Sequence, residues 1–148
     1  MRGYFFGNFY LSSLQQGLQA AHAVADLFIE YPHANNSAGK LLRDWATNHK
    51  TIIILNGGNA ETLDALYQEL VPIADKAGFP VTIFREDEVS LNNATTCVGI
   101  VLPESWYDHD LKAELDTIAY GVAADVGQIP LSPQGELKQI LNRYRLAH

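Results

Sequence analysis

At 148 residues, with 47% hydrophobic and 18% charged side chains, the chain has the size and composition of one soluble globular domain. Its net charge of −7 argues against a general nucleic-acid binder, whose phosphate contacts need clustered Lys and Arg. One cysteine, Cys97, excludes an internal disulfide, and no apolar run reaches the roughly 18 residues of a membrane span. Because the N-terminus also lacks a small-residue cleavage site, we expect a cytoplasmic protein that does not enter a membrane.

The first strand and the first helix open the chain. Tyr4 to Tyr10 is rich in aromatic residues and predicts a strand, and the next segment predicts a helix from Leu14 to about Glu30. At about 100° per residue, five apolar residues share a narrow face that we expect to meet the core: Leu14, Leu18, Ala21, Ala25 and Phe28. The opposite side carries Ala20, Ala23 and Leu27, which indicates packing on both flanks.

A line of polar residues runs along this helix beside the predicted core face: Gln15, Gln19, His22 and Asp26. Two interpretations stay open, because the line either faces a cleft shared with another element or is the solvated edge of a surface helix. Ser12 and Gln15 have capping-box spacing, so Gln15 either caps its own helix or takes part in chemistry. His22 is either a general base or a histidine that locks the helix to the sheet.

The middle of the chain alternates between predicted strands and helices. A loop over 33–39 leads to a short helix anchored by Trp45, and Thr51 to Leu55 is a β-branched run typical of a central strand buried on both faces. The next helix has a predicted buried face of Leu63, Leu66, Tyr67 and Leu70. Pro72 is expected to end or kink this helix.

Asn56 to Asn59 forms the turn before that helix. Backbone amides at a helix N-terminus bind anions, which suggests a nucleotide-binding alternative. The turn lacks the Lys-Ser/Thr ending of a P-loop and the spacing of a dinucleotide loop, so a plain strand-to-helix turn is favoured.

Two more strands, Pro80 to Phe84 and Cys97 to Leu102, flank an acidic loop and a polar loop. Cys97 is predicted to be a small core residue, and with no partnering cysteine the sequence predicts no metal and no cofactor. Beyond Pro103, a helix is predicted from about Asp108 and broken near Gly127. Ser132 and Pro133 mark the start of a last helix.

This order of elements predicts an α/β fold. We expect a three-layer sandwich, in which a four-stranded, mainly parallel mixed sheet carries helices on both faces. The last two strands form the mixed part of the sheet. Residues 1–103 make up the core of a single domain, and residues 104–148 form its helical C-terminal extension.

The segment Gln19-Ala20-Ala21-His22-Ala23, after an apolar first strand, resembles the Gln-x-x-His-Ala signature of type II peptidyl-tRNA hydrolases, the archaeal and eukaryotic type. Other features of that family occur in the same order here, over roughly residues 4–103. They are a Trp before the second strand, a Lys that opens it, a Glu-Thr-Leu, an acidic residue, a Thr and a Gly-Ile strand that ends in Pro. Their counterparts are Trp45, Lys50, Glu61-Thr62-Leu63, Glu86 or Asp87, Thr96, Gly99-Ile100 and Pro103.

The resemblance implies hydrolysis of the ester that joins a peptide to the 3′ ribose of tRNA. The catalytic candidates are Glu86 or Asp87, Thr96 and His22, and the candidates for substrate contact are Gln15, Gln19 and Asp26. A carboxylate would orient water, and a hydroxyl would donate to the developing oxyanion. The family's lysine is missing, because Gln15 holds its place and no Lys or Arg occurs between Arg2 and Lys40.

Two functions therefore remain for this scaffold. The first is a divergent peptidyl-tRNA hydrolase, whose partner is the 3′ end of tRNA. The second is a catalytically silent module that captures a protein or small ligand. It would use the helical extension with Trp106 and Tyr107, or the apolar back of the first helix, and a homodimer would use the same surfaces.

Overall fold

A computed structural model describes residues 1–123, 127 and 129–147 of the chain. The chain divides into two compact units, Met1–Leu102 with Tyr144–His148, and Pro103–Arg143. No helix in the described ranges is both long and apolar enough to cross a membrane. The organisation as one domain stays a prediction.

The first unit is built on a four-stranded sheet. Its strands are β1 (Arg2–Gly7), β2 (Ile52–Asn56), β3 (Val81–Arg85) and β4 (Thr95–Leu102), in the order β2-β1-β4-β3. β1 and β2 are parallel, and β4 is antiparallel to both of its neighbours. The predicted α/β fold with a four-stranded mixed sheet is confirmed, and β4 is the strand that makes the sheet mixed.

β2 lies at the edge of this sheet, so its prediction as a central strand buried on both faces is wrong. Ile52 is 50% exposed, whereas all eight residues of β4 are buried. Residues 145–147 cover the free edge of β2 with backbone hydrogen bonds. Asn56 N donates to Arg145 O, and Ala147 N donates to Ile54 O.

Helices cover both faces of the sheet. α1 (Ser13–Glu30), α2 (Ser37–Asp44) and the π-helical turn Trp45–His49 lie on the face that carries Phe5. α3 (Ala60–Ala77) lies on the other face, where Gly57 fits between Phe6 and Leu63. Phe5 and Phe6 point to opposite faces because side chains alternate along a strand. A short helix, α4 (Glu88–Leu91), joins β3 to β4.

α3 continues through Pro72, so of the two predicted effects of this proline, an end or a kink of the helix, the end is wrong. Pro72 is exposed, so its ring lies on the solvent side of the helix and not in the packed face. The predicted residues Leu63, Leu66 and Leu70 are buried and hold the helix to the sheet on both sides of the proline.

α1 has its predicted bounds and its predicted capping box. Gln15 N donates to Ser12 Oγ, and Ser12 N donates to Gln15 Oε1. Its predicted core face is wrong, because Leu14 is 77% exposed and Leu18 is 52% exposed. The buried residues are Gln16, Gln19, Ala20, Ala23 and Leu27.

The small side chains of Ala20 and Ala23 explain this orientation, because they let the helix backbone approach β3 and β4 closely. A helix with apolar residues on nearly every side does not indicate which side is buried. The predicted partner surface on the back of this helix is also wrong, since Ala20, Ala23 and Leu27 lie in the core.

The second unit contains α5 (Glu104–Tyr107), α6 (Leu111–Ala123) and α7 (Pro133–Leu141). The helix predicted from about Asp108 begins at Leu111, and its predicted break near Gly127 falls beside 124–126 and 128, which lie outside the described residues. The predicted start of the last helix is confirmed, with Ser132 as N-cap and Pro133 in the first turn.

Glu114 connects α6 to the start of α7. Its Oε1 accepts a hydrogen bond from Ser132 N at 2.6 Å, and its Oε2 lies 2.6 Å from His109 Nε2. These contacts, the backbone one first, lower the pKa of Glu114 from the ordinary value of 4.5. A carboxyl group whose pKa is lower in the folded state stabilises that state above the unfolded pKa, and the benefit is lost as pH falls through the folded pKa.

The orientation of α1 can be tested with two substitutions. We expect Ala23→Leu to lower the free energy of unfolding by about 1–3 kcal/mol, because the added carbons have no space in the core. Leu14→Ala should change it by less than about 0.5 kcal/mol, since Leu14 is exposed. Urea unfolding followed by tryptophan fluorescence measures both effects, and the opposite order of the two effects would contradict the orientation.

The Glu114 contacts predict a stability effect that depends on pH. Glu114→Gln should lower the Tm at pH 7, and the difference from wild type should shrink as pH falls below 4.5, the ordinary pKa. Asp116→Asn, which removes an exposed acid from the same helix, is the matched control and should have the smaller effect at pH 7. Calorimetry across this pH range measures the difference, and a constant difference would contradict the assignment.

Candidate functional site

The candidate site lies at the edge of the sheet where β1 and β3 end and β4 begins. Asn8 follows β1, Glu86 follows β3, and Thr96 is the second residue of β4. Backbone hydrogen bonds hold the three segments together, since Asn8 N donates to Thr96 O and Glu86 N donates to Ala94 O, both at 3.0 Å. Ligand sites in open α/β sheets form at this kind of edge, outside the carboxyl ends of the strands.

A chain of side-chain hydrogen bonds joins His22, Gln19 and Glu86. Gln19 Nε2 donates to Glu86 Oε2 at 2.9 Å, and Gln19 Oε1 lies 3.0 Å from His22 Nδ1. An ionised carboxylate only accepts hydrogen bonds, so Gln19 turns its nitrogen to Glu86 and its oxygen to His22. The Gln19 oxygen can only accept, so His22 Nδ1 is the donor in this contact.

This chain forms because α1 lies along the edge strand β3. Every second side chain along β3 and the residue after it contacts α1. The three contacts are Thr82 with Glu30, Phe84 with His22, and Glu86 with Gln19. The polar line of α1 therefore borders β3 at Gln19 and His22. At the C-terminal end of α1, burial raises the pKa of Glu30. The hydrogen bond from Thr82 opposes that rise, and the negative charge of Asp26 adds to it.

Of the two acidic candidates, Glu86 is the one that belongs to the hydrogen-bond chain with Gln19 and His22. Its Oε2 accepts from Gln19, and its Oε1 accepts from the backbone N of Asp87 at 3.4 Å. Asp87 is exposed, and its backbone oxygen accepts from Leu91 N in the turn that leads into α4.

The structure separates the other two polar-line candidates from Glu86. Gln15 caps the first turn of α1 by bonding to Ser12. Asp26 lies seven residues beyond Gln19, which is about 10 Å along a helix axis, and it acts on Glu30 instead.

A pocket of about 400 Å³ opens at this edge of the sheet. Its walls come from three segments of the chain: Asn8, Tyr10 and Leu11; Asn59, Ala60 and Glu61; and Leu91, Ala94 and Thr96. Thr96 is 1% exposed, and its Oγ1 has no hydrogen-bond partner among the described residues. A buried hydroxyl without a partner is costly, which makes Thr96 the unusual polar group of this wall.

Asn8, which also lines the pocket, is engaged within the chain. Its Nδ2 donates to Thr95 O, and its Oδ1 accepts from Tyr10 N, both at 3.1 Å. These bonds fix the loop between β1 and α1 and shape the pocket wall. The sequence reasoning missed Asn8, although a polar residue at the carboxyl end of an apolar strand is a signal for such a site.

The turn at residues 56–59 uses its own donors. Gly57 N donates to Gly7 O, Gly58 N donates to Asn56 Oδ1, and Thr62 N donates to Asn59 Oδ1. Amide groups that are already paired cannot also hold a phosphate. This geometry favours the plain turn over an anion-binding loop.

Cys97 lies outside the site's chemistry. It is buried in the core, and burial raises the pKa of its thiol to about 12, so it is not a thiolate at neutral pH. In the described part of the chain, no three His, Cys, Asp or Glu side chains converge as metal ligands would.

Comparison with known proteins adds no relative to this picture. No family model matches the chain, and no curated protein matches its sequence.

The hydrogen bond between Gln19 and Glu86 can be measured by a double-mutant cycle. Gln19→Ala, Glu86→Ala and the double variant should give a coupling energy of about 0.5–3 kcal/mol, because the two side chains contact each other. The cycle of Gln19→Ala with Asp87→Ala is the control and should be additive to within about 0.5 kcal/mol. Urea unfolding supplies the free energies of unfolding. Equal coupling energies in both cycles would contradict a specific hydrogen bond between Gln19 and Glu86.

Proposed function

We propose that the unit built from Met1–Leu102 and Tyr144–His148 is a peptidyl-tRNA hydrolase-like enzyme that cleaves an ester at the edge of its sheet. The observation that carries the proposal is the hydrogen-bond chain from His22 through Gln19 to Glu86. Glu86 N also donates to the backbone oxygen of Ala94, which lines a pocket together with Thr96. An ester hydrolase needs a base that takes a proton from water and a donor to the oxyanion. Glu86 is the proposed base, and the Thr96 hydroxyl is the proposed donor.

In the proposed reaction, the Glu86 carboxylate accepts a proton from water as the water oxygen attacks the ester carbonyl. The Thr96 hydroxyl donates a hydrogen bond to the carbonyl oxygen as negative charge develops on it. Collapse of the tetrahedral intermediate breaks the bond to the ribose oxygen, which takes the proton from Glu86 as it leaves and so regenerates the carboxylate. The products are a free carboxylic acid and a 3′ hydroxyl.

Gln19 and His22 act on Glu86 rather than on the substrate. Gln19 is buried, and its amide fixes one oxygen of the Glu86 carboxylate. His22 holds the amide of Gln19 in the orientation that donates to Glu86. The pair therefore orients the base, and the other carboxylate oxygen lies beside the Asp87 backbone amide.

The charge at the site favours a second candidate, a catalytically silent binding module. Gln15, in the place of the family's lysine, caps α1, and no described residue that lines the pocket is Lys, Arg or His. Arg85 lies close in sequence to Glu86, and its guanidinium pairs with Asp64 at 3.4 Å. Because there is little positive charge at this edge, a tRNA phosphate would gain little electrostatic binding energy here. The binding of a small neutral ligand does not depend on such charge.

The enzyme proposal predicts a difference between two neighbouring acids. Glu86→Gln should reduce release of the acyl group from an N-acetyl-aminoacyl-tRNA by at least about 100-fold, because it removes the base. Asp87→Asn, an isosteric change at the adjacent residue, should keep activity within a few-fold of wild type. Release of labelled N-acetyl-amino acid at low salt measures both variants.

Two results would contradict this assignment. Equal losses in the two variants would mean that Glu86 is not the base. No turnover by the folded wild-type protein would reject the hydrolase and leave the binding module as the function.

A further inference from the structure

We propose that the free edge of β3 is a docking site for an extended peptide segment in which basic residues alternate with apolar ones. The segment would add to the sheet as a strand beside Val81–Arg85, which ends the order β2-β1-β4-β3. This site goes beyond the proposed ester hydrolase and depends on neither the proposed base nor the pocket.

The backbone groups of β3 point alternately toward β4 and outward. Pro80 O accepts a hydrogen bond from β4, and Glu86 N donates one to the residue before β4, so both of these residues face β4. Because backbone groups alternate along an antiparallel strand, those of Val81, Ile83 and Arg85 point away from β4. These three residues form the outer edge of the sheet.

Tyr31 satisfies the first of these three outward positions. Its hydroxyl accepts from Val81 N at 3.3 Å and donates to Val81 O at 3.4 Å, so it replaces both bonds of a neighbouring strand. No described residue forms such bonds with the outward backbone groups of Ile83 or Arg85. An added strand therefore finds two donors and two acceptors here, whereas residues 145–147 already cover the edge of β2.

The α1 side of this edge carries negative charge. Glu30 accepts a hydrogen bond from the Thr82 hydroxyl, and Asp26 lies close enough for its charge to act on Glu30. Neither carboxylate forms an ion pair with a described residue. Side chains of an added strand that lie opposite Thr82 and Phe84 point to this same side. Basic residues at those positions would pair with the two carboxylates.

The α3 side of the edge is partly apolar, and its cation is already paired. Ile83 and Tyr67 are half-buried, and the Arg85 guanidinium lies 3.4 Å from Asp64. Burial raises the pKa of Tyr67, the charge of Glu30 adds to that rise, and the charge of Arg85 opposes it, so the phenol lies near both. Side chains opposite Ile83 and Arg85 point to this side, where apolar residues are favoured.

The same charges argue against a second copy of the chain as the occupant. β3 of a second copy would bring its own Glu30 and Asp26 to this border. The chain carries a net charge of −7, so two copies repel each other, whereas a basic segment is attracted. The edge is therefore complementary to a positively charged extended segment.

The test titrates the full chain with acetyl-Lys-Val-Lys-Val-Lys-Val-Lys-amide, whose valines are designed to lie opposite Ile83 and Arg85. In a proton–nitrogen correlation spectrum, the amide signals of Ile83 and Arg85 should shift more than those of Thr82 and Phe84, which face β4. At low salt, the Kd should be at least about tenfold below that of the analogue with Glu in place of each Lys.

Two methylated forms of this peptide separate main-chain pairing from charge attraction. N-methylation of the valines removes the N–H groups that face β3 and should raise the Kd at least about tenfold. N-methylation of the inner lysines removes only N–H groups that face solvent and should change the Kd by less than about threefold. Equal effects of the two forms would overturn strand addition.

Variants of Arg85 test the outward backbone groups in the protein. Arg85→Pro removes one outward donor and should raise the Kd at least about fivefold relative to Arg85→Ala. Arg85→Ala is the matched control, because it also loses the contact with Asp64 but keeps the N–H group.

Variants of α1 test the charge. Asp26→Asn combined with Glu30→Gln should raise the Kd of the lysine peptide about tenfold, because both unpaired charges are lost. The control combines Glu61→Gln with Glu69→Gln, two exposed acids of α3. Glu69 lies about 200° around that helix from Tyr67, so this pair should change the Kd by less than about twofold.

Three outcomes would overturn the proposal. Equal affinities for the lysine and glutamate peptides would remove the charge selectivity, and signal shifts centred outside β3 would place the peptide elsewhere. A dimer in sedimentation of the chain alone that Arg85→Pro dissociates would show that a second copy occupies the edge. None of these measurements uses ester cleavage, so the outcome is independent of the proposed function.

Discussion

The close packing of α1 against β3 and β4 is the constraint on which the candidate site depends. Ala20 and Ala23 contribute only methyl groups to this contact, so the helix backbone lies near the sheet. Leu27 packs in the same buried cluster. A larger residue at either alanine would hold the helix further out. The distance between Gln19 and Glu86 would then grow, and a hydrogen bond of 2.9 Å leaves little room for such a change.

The same packing explains why polar groups line the boundary between α1 and β3. β3 is an edge strand, and an edge strand has a border that water reaches. Polar side chains at that border can pair across it without the full cost of burial. Glu30 pairs there with Thr82, and Gln19 pairs with Glu86. The second pair lies where the strand ends, because Glu86 follows Arg85, the last residue of β3.

Local features of the fold could be predicted from the sequence, and the arrangement of distant segments could not. The capping box of Ser12 and Gln15 and the N-cap at Ser132 depend on residues three positions apart, so their spacing is visible in the chain. The place of β2 in the sheet depends on β4 and on the end of the chain, which no local pattern contains. The buried face of α1 was predicted wrongly, because the larger Leu14 and Leu18 suggested a core contact that the smaller Ala20 and Ala23 make.

The candidate site divides in the same way. Gln19 and His22 share a helix face at a spacing of three, so their association could be predicted, and the structure adds Glu86 as their partner. The pocket could not be predicted, since its walls come from three separate segments. The charge of the pocket could not be predicted either. Glu61 lies in the first turn of α3, and nothing in the neighbouring sequence shows that this turn lines a pocket. A pocket with one carboxylate and no cation in its described lining disfavours an anionic ligand relative to a neutral one.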